Sequence, residues 1–233
     1  MRRRLVLWDI DGTLLTDGGA ARQAFVDGLE SAYGFRGDVS RYDFSGRTDP
    51  QIASMILRDA GFSDDEITSG FPRLWSRYLD GLARTATPDR VRALPGIREL
   101  LDALLAEETV TLALLTGNIE SGARLKLGGA DLNDYFPFGA FGSDSAKREE
   151  LPPIAVERAS AIDGYRFAGR DVVIIGDSIY DVRCGTPHDA TTIAIASGKT
   201  PAEKLRAENP HYFFHDARDL GALLSAILTS TEE

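Results

Sequence analysis

The sequence predicts an α/β protein: a parallel sheet covered by helices, with an all-helical unit inserted after the first strand. Three observations carry this. The apolar run Leu5-Val6-Leu7-Trp8 reads as a fully buried strand and stops abruptly at Asp9-Ile10-Asp11-Gly12-Thr13. From about residue 16 to residue 92, apolar positions recur at helical spacing and no strand pattern interrupts them. From Leu94-Pro95-Gly96 onward, helices and short apolar strands alternate, the pattern of a parallel sheet with crossover helices.

In chain order, Ala21, Ala24, Phe25, Leu29 and Ala32 fall on one helical face. Asp49-Pro50 reads as an N-cap with proline at the first helical position, leading into Ile52, Met55 and Ile56, and Gly61 stops that helix. Ser63 and Glu66 have the spacing of a capping box ahead of a stripe of Leu74, Trp75, Tyr78, Leu79 and Leu82. These stripes read as the core of a helical module rather than as a ligand box. Leu100, Leu101 and Leu104 mark an inward-facing helix before the strand Val110–Leu115, which ends in Thr116-Gly117-Asn118; a helix follows through Leu125. Residues 138–141 form a weak strand pattern and 153–162 a helix. Val172-Val173-Ile174-Ile175 is a buried strand running into Gly176-Asp177-Ser178-Ile179-Tyr180-Asp181. Further strands are predicted at 191–196 and Tyr212–Phe214, helices at 201–207 and Leu220–Leu228, and a frayed tail at 229–233.

Composition narrows the class. The 233 residues suffice for a sizeable core with an inserted module, and 43% apolar with 27% charged residues is ordinary for a globular protein. The net charge of −10 argues against nucleic acid or an anionic membrane as main partner, so phosphate handling would need local positive charge or a metal. A single cysteine, Cys184, excludes an internal disulfide, fits a reducing compartment and reads as a small hydrophobe. Met1-Arg2-Arg3-Arg4 ahead of apolar residues imitates a signal peptide, but the run is short and broken by Asp9 and Asp11. No stretch approaches a membrane span, so a cytoplasmic location is expected.

Three apolar strands end, on the C-terminal side, in small polar or acidic residues: Asp9/Asp11, Thr116/Asn118 and Asp177/Asp181. Carboxyl ends of strands in an open parallel sheet form the ligand crevice, so neighbouring strands would bring these groups together. The i, i+2 spacing points Asp9 and Asp11 to one side of an extended chain, and like charges held close need a cation or a shared proton. One such pair alone could also be a solvated turn, the less favoured reading. Three strand ends make a site. Four carboxylates without a histidine cluster favour Mg2+ over Zn2+. His188, His211 and His215 lie elsewhere and lack zinc-ligand spacing. Thr116, Asn118 and backbone N–H groups around Gly117 suit phosphate oxygens. Lys147-Arg148 offers a positive side chain, unless that pair only makes surface salt bridges.

Asp9-Ile10-Asp11-Gly12-Thr13-Leu14 resembles the first motif of the haloacid dehalogenase-like hydrolases, Leu115-Thr116-Gly117-Asn118 the second, and Gly176-Asp177-Ser178-Ile179-Tyr180-Asp181 the fourth. The resemblance covers nearly the whole chain. The helical insert is similar in position to the cap of phosphoglycolate phosphatase-like and β-phosphoglucomutase-like members. This implies a Rossmann-like core of residues 1–15 and 94–233 and an α-helical cap of 16–93. The third motif departs from the common Lys-Pro: the region reads Ser145-Ala146-Lys147-Arg148-Glu149-Glu150-Leu151. Arg148 takes the lysine's place on an Arg-x-x-Leu variant, with Lys147 as the alternative.

The resemblance implies that Asp9 is a nucleophile forming an aspartyl-phosphate. Asp11 would be general acid to the leaving oxygen, then general base to water, with its backbone carbonyl on Mg2+. Asp177 would be the other direct metal ligand beside Asp9, with Asp181 in support. Arg148 or Lys147 would balance phosphoryl charge while Thr116, Gly117 and Asn118 orient the group. Asp11 favours phosphate esters over dehalogenation, because a departing halide needs no proton. The absence of lysine between Leu15 and Leu94 excludes a Schiff-base phosphonatase. Ser45-Gly46-Arg47-Thr48-Asp49-Pro50 is the cap stretch expected to face the crevice, with Arg47 toward an anionic or hydroxylated substrate or else a surface charge. The expected function is a Mg2+-dependent phosphatase for a small phosphorylated metabolite, as monomer or homodimer, whose cap opens and closes. A sugar-phosphate mutase is the alternative, and a non-catalytic binding module is less favoured.

Overall fold

The computed structural model describes residues 2–229 and opens on β1 (Arg4–Trp8), every residue of which is buried. Burial on both faces explains the unbroken apolar run, because alternate side chains enter different cores. Val6 and Trp8 pack on one side of the sheet, Leu5 and Leu7 on the other. β2 (Leu15–Thr16) follows directly, then the helices α1 (Ala20–Tyr33), α2 (Asp49–Asp59) and α3 (Asp64–Thr85), and then β3 (Arg92–Ala93). α1–α3 form a helical cap whose core joins Phe25 and Leu29 to Ile52, Ile56, Leu74, Tyr78 and Leu82.

Two expectations for this region are corrected. It is not helical throughout, since residues 34–48 form a long loop with Asp38 and Asp43 folding back on the backbone N–H groups of Ser40 and Ser45. Nor is it free of strands, because β2 and β3 pair antiparallel. A two-residue ribbon leaves no alternation to read. It places the two chain crossings between cap and core side by side. α2 is also capped one residue earlier than expected: Thr48 accepts from the Gln51 N–H, and Asp49 and Pro50 lie in the first turn. The Ser63–Glu66 capping box forms as expected.

After β3 come α4 (Ile97–Leu105), β4 (Val110–Leu115), α5 (Glu120–Gly129), β5 (Gly139–Ala140), α6 (Leu151–Asp163), β6 (Val172–Gly176), α7 (Ile179–Gly185), β7 (Thr191–Ile195), α8 (Ala202–Ala207), β8 (Tyr212–Phe214) and α9 (Leu220–Leu228). The six core strands form one parallel sheet in the order β5-β4-β1-β6-β7-β8. The chain builds outward from β1 through β4 and β5, then returns on the other side, so β1 lies where the strand order reverses. Trp8 stands opposite Leu114 and Ile175, which brings the three polar strand ends to the same edge. α4, α5 and α9 cover one face, α6 and Cys184 of α7 the other. α5 runs beyond the expected Leu125 to Gly129 and so includes Lys126. Among the described residues no helix is long and apolar enough to cross a membrane. Of the expected frayed tail, Thr229 caps α9 and residues 230–233 lie outside the described residues.

Candidate active site

Asp9, 6% exposed, lies at the end of β1 and accepts from Arg148 Nη2 at 3.0 Å. The same nitrogen donates to the Leu115 carbonyl at 3.1 Å and to Asp181 Oδ1. Arg148 sits in a single tight turn that the buried Leu151 anchors at the start of α6. Lys147, one residue earlier, is exposed and pairs with Glu150 at 3.0 Å. Of the two candidate cations, the structure brings Arg148 into the crevice and leaves Lys147 on the surface.

Carboxylate oxygens of Asp9, Asp177 and Asp181 lie within 4.8 Å of one another, all three residues being buried. Burial, reinforced by Asp181 and opposed by Arg148, pushes Asp9 up to about 7. Asp177 is raised well above the carboxylate range by burial and by the charges of Asp9 and Asp181. Three buried carboxylates against one guanidinium leave an excess of negative charge that a hard cation would balance, and the triad fits a metal site. Asp181 is not at a strand end as expected. It lies in the first turn of α7, where Oδ2 accepts from the Ser178 N–H at 2.9 Å and Oγ at 2.6 Å. With Oδ1 on Arg148, both its oxygens are engaged. Asp177 accepts from Thr13 Oγ1 at 3.2 Å and nests against bare backbone. A Cβ on Gly198 would stand 1.6 Å from Asp177 Oδ2.

The Asp11 carboxylate lies outside that cluster. Its Oδ2 accepts from Asn118 Nδ2 at 2.8 Å and from Lys126 Nζ at 2.6 Å. Lys126 also donates to Asn118 Oδ1 at 2.7 Å, and Asn118 Nδ2 donates to Thr116 Oγ1 at 2.8 Å. Burial pulls the Lys126 ammonium down, but Asp11, Tyr78, Asp17 and Asp49 together outweigh it and leave it above the ordinary lysine value. Sequence reasoning missed Lys126. The available signal was its place with Ala123 and Leu127 on the inner face of α5, in a chain with only four lysines.

The cap reaches this edge directly. A Cβ on Gly117 would stand 2.0 Å from the Arg47 carbonyl, so only glycine lets the two backbones cross. The Gly117 carbonyl accepts from the Asp49 N–H at 2.8 Å, Asp49 Oδ2 accepts from the Ile119 N–H at 2.9 Å, and Thr48 Oγ1 donates to the Ala146 carbonyl at 2.7 Å. Burial pushes the Asp49 carboxyl up to about 6, against the pull of Lys126. Arg47 lies over the Tyr180 ring at 5.0 Å, with Nε buried and lacking a hydrogen-bond partner. It lines a cavity of about 600 Å³ between cap and core, together with Arg22, Phe25, Phe44, Tyr78 and the crevice residues. Burial pushes the Cys184 thiol up to about 12, which makes it a poor nucleophile. The three histidines are exposed.

A haloacid dehalogenase-like hydrolase family model matches residues 6–186, and a HAD-hydrolase-like model residues 153–220. A protein named pyrophosphatase PpaX, from Caldanaerobacter subterraneus subsp. tengcongensis, is 22% identical over 217 residues, covering 93% of this chain and 92% of that one. The structure of a hydrolase from Pseudomonas syringae aligns with a TM-score of 0.75 at 20% identity, over 97% of this chain and 100% of that one. That of a protein named phosphoglycolate phosphatase, from Lactobacillus plantarum, aligns with a TM-score of 0.68 at 18% identity, over 96% and 100%. Structures named as β-phosphoglucomutases share the fold. With the family model spanning most of the sequence and three of its motifs on adjoining strand ends, the chain belongs to the haloacid dehalogenase-like hydrolases.

Proposed function

We propose that the protein is a Mg2+-dependent phosphatase that hydrolyses a small phosphomonoester through an aspartyl-phosphate on Asp9. One observation carries this reading: Asp9 is buried on the crevice edge with Oδ1 held by Arg148, inside a cluster of carboxylates placed to hold a hard cation. Asp9 attacks phosphorus in line, and the leaving oxygen takes a proton from Asp11 as its bond to phosphorus breaks. Asp11 then takes a proton from water, which displaces phosphate and regenerates Asp9. Arg148 faces the transferring group; its buried Nε lacks a partner and suits a phosphoryl oxygen. Thr116, Asn118 and the backbone N–H groups around Gly117 orient the phosphoryl group, and the Asn118 amide also holds the acid Asp11. Asp9, Asp177 and the Asp11 backbone carbonyl would hold Mg2+, with Asp181 in support, and the ion would neutralise phosphoryl charge. Arg47 is the cap residue assigned to the substrate. We place the core at 1–15 and 94–233 and the cap at 16–93, opening about the β2–β3 ribbon.

The names of the relatives supply the first compounds to try: phosphoglycolate, pyrophosphate and sugar phosphates. Phosphate release is expected with Mg2+ and is expected to disappear with EDTA. Absence of release from every compound, with Mg2+ bound, would overturn the phosphatase reading; conversion of one sugar phosphate to another would establish the mutase instead.

A second prediction concerns the cradle of Asp177. Gly198→Ala drives a methyl group into the carboxylate, so Mg2+ affinity measured by calorimetry is expected to fall about 10–100-fold, as for other residues that support a metal ligand. Unchanged affinity would exclude Asp177 as a ligand in this position.

A further inference from the structure

Lys126 joins two groups at the crevice, Asp11 and Asn118, and none of the four sequence motifs includes it. Its ammonium bonds Asp11 Oδ2 at 2.6 Å and Asn118 Oδ1 at 2.7 Å, while Asn118 Nδ2 bonds the same Asp11 oxygen at 2.8 Å. The three groups close a triangle, which Thr116 anchors to the end of β4 through the Asn118 amide. The Lys126 side chain is 5% exposed, whereas that of Asp11 is 42% exposed. Burying an ammonium costs several kcal/mol unless it is paired. An apolar residue on this inner face of α5 would pack there without that cost. Both side chains that its ammonium hydrogen-bonds, Asp11 and Asn118, line the crevice. Left with Asn118 alone, the Asp11 carboxylate would turn about its own side-chain bonds. Its other oxygen, Oδ1, accepts no hydrogen bond among the described residues.

We propose that Lys126 is a positioning residue of the reaction: it locks the Asp11 carboxylate and the Asn118 amide together, so that Asp11 Oδ1 is held toward the leaving oxygen. This rests on the phosphatase reading, in which Asp11 hands a proton to that oxygen as the P–O bond breaks. Lys126 itself exchanges no proton and forms no bond to substrate. The consequence depends on the leaving group. A nitrophenolate departs without a proton, while an alkoxide needs one.

The test compares kcat/KM, which reports departure of the leaving group, on p-nitrophenyl phosphate and on an alkyl phosphate. Lys126→Met is expected to lose about 100-fold on the alkyl ester and no more than about threefold on the aryl ester, the scale of a misplaced general acid. Lys126→Arg, which keeps the charge, is expected to recover about tenfold of that loss. Adding Lys126→Met to Asp11→Asn is expected to cost little more than Asp11→Asn alone, because the two residues act as a unit. Equal losses on both esters, or a loss that adds in full to that of Asp11→Asn, would overturn the proposal. If Lys126→Met does not fold, the same comparison on Lys126→Arg decides: an ester-selective loss supports the proposal, and an equal loss overturns it. The phosphatase reading fails separately, and takes this inference with it, if the unmodified protein shows no Asp9-dependent release from either ester.

Discussion

Asp9→Asn is expected to lower turnover at least about 10⁴-fold, equivalent to about 5.4 kcal/mol of barrier, while the protein stays folded. The amide oxygen keeps the shape of the carboxylate and still accepts from Arg148, but it cannot form an acyl phosphate. Stability should move the other way. Burial holds Asp9 up near 7 in the folded protein, against an ordinary value of 3.8. Between those values the unfolded chain has released its proton and the folded chain has kept it. This group's contribution to stability therefore falls as pH rises through that window, and the deficit is complete above about 7. Asparagine does not titrate. Without metal, the melting temperature of Asp9→Asn relative to the unmodified protein should rise from pH 4 to 7 and then level off. Mg2+ at 100 times its Kd should raise the unmodified protein at pH 8 by about 2.7 kcal/mol, or about 5–10 °C, and the variant by much less. Phosphate release by purified Asp9→Asn at the unmodified rate would remove Asp9 from the chemistry.

What could be read from the sequence depended on whether a local rule decided the outcome. Leu5 to Trp8 is apolar throughout because both faces of β1 are covered, so the run announced a central strand. Asp9, Thr116 and Asp177 follow three such runs, and parallel pairing in register carries them to one edge. Ser63 was legible as a cap because Glu66 answers it at a fixed spacing. Thr48 was not, because Thr, Asp and Pro in succession offer two adjacent caps. The choice follows from Asp49 reaching across to the Ile119 N–H, a tertiary contact. Asp181 looked like a strand-end carboxylate because α7 is only seven residues long, too short to show a period. Lys126 was hidden for a related reason. A lysine among apolar neighbours makes sense only once Asp11 and Asn118, from two other segments, are known to face it. The cavity wall was least legible of all, being built partly from the irregular loop 34–48.

Arg148 separates stability from chemistry more sharply than any other residue at the site. Arg148→Met leaves the buried Asp9 and Asp181 without their shared cation. Breaking a buried ion pair from one side costs about 3–5 kcal/mol, so the metal-free variant should melt about 10 °C lower at neutral pH. The deficit should widen as pH rises above about 7, where Asp9 ionises beside Arg148 in the unmodified protein but, without that guanidinium, keeps its proton to higher pH. Mg2+ bound by the same carboxylates should restore part of the melting temperature. Turnover should not follow. A guanidinium that meets the phosphoryl oxygens as charge develops is worth about 10²–10³-fold in kcat, and an ion bound beside Asp177 does not occupy its place. Lys147→Met provides the contrast: that ammonium is exposed and tied to Glu150, so turnover should stay within about twofold of normal, as for most surface changes. Melting curves and phosphate release, each with and without Mg2+, check the set. A severe loss in Lys147→Met, or full recovery of turnover in Arg148→Met on adding Mg2+, would take the phosphate-binding role away from Arg148.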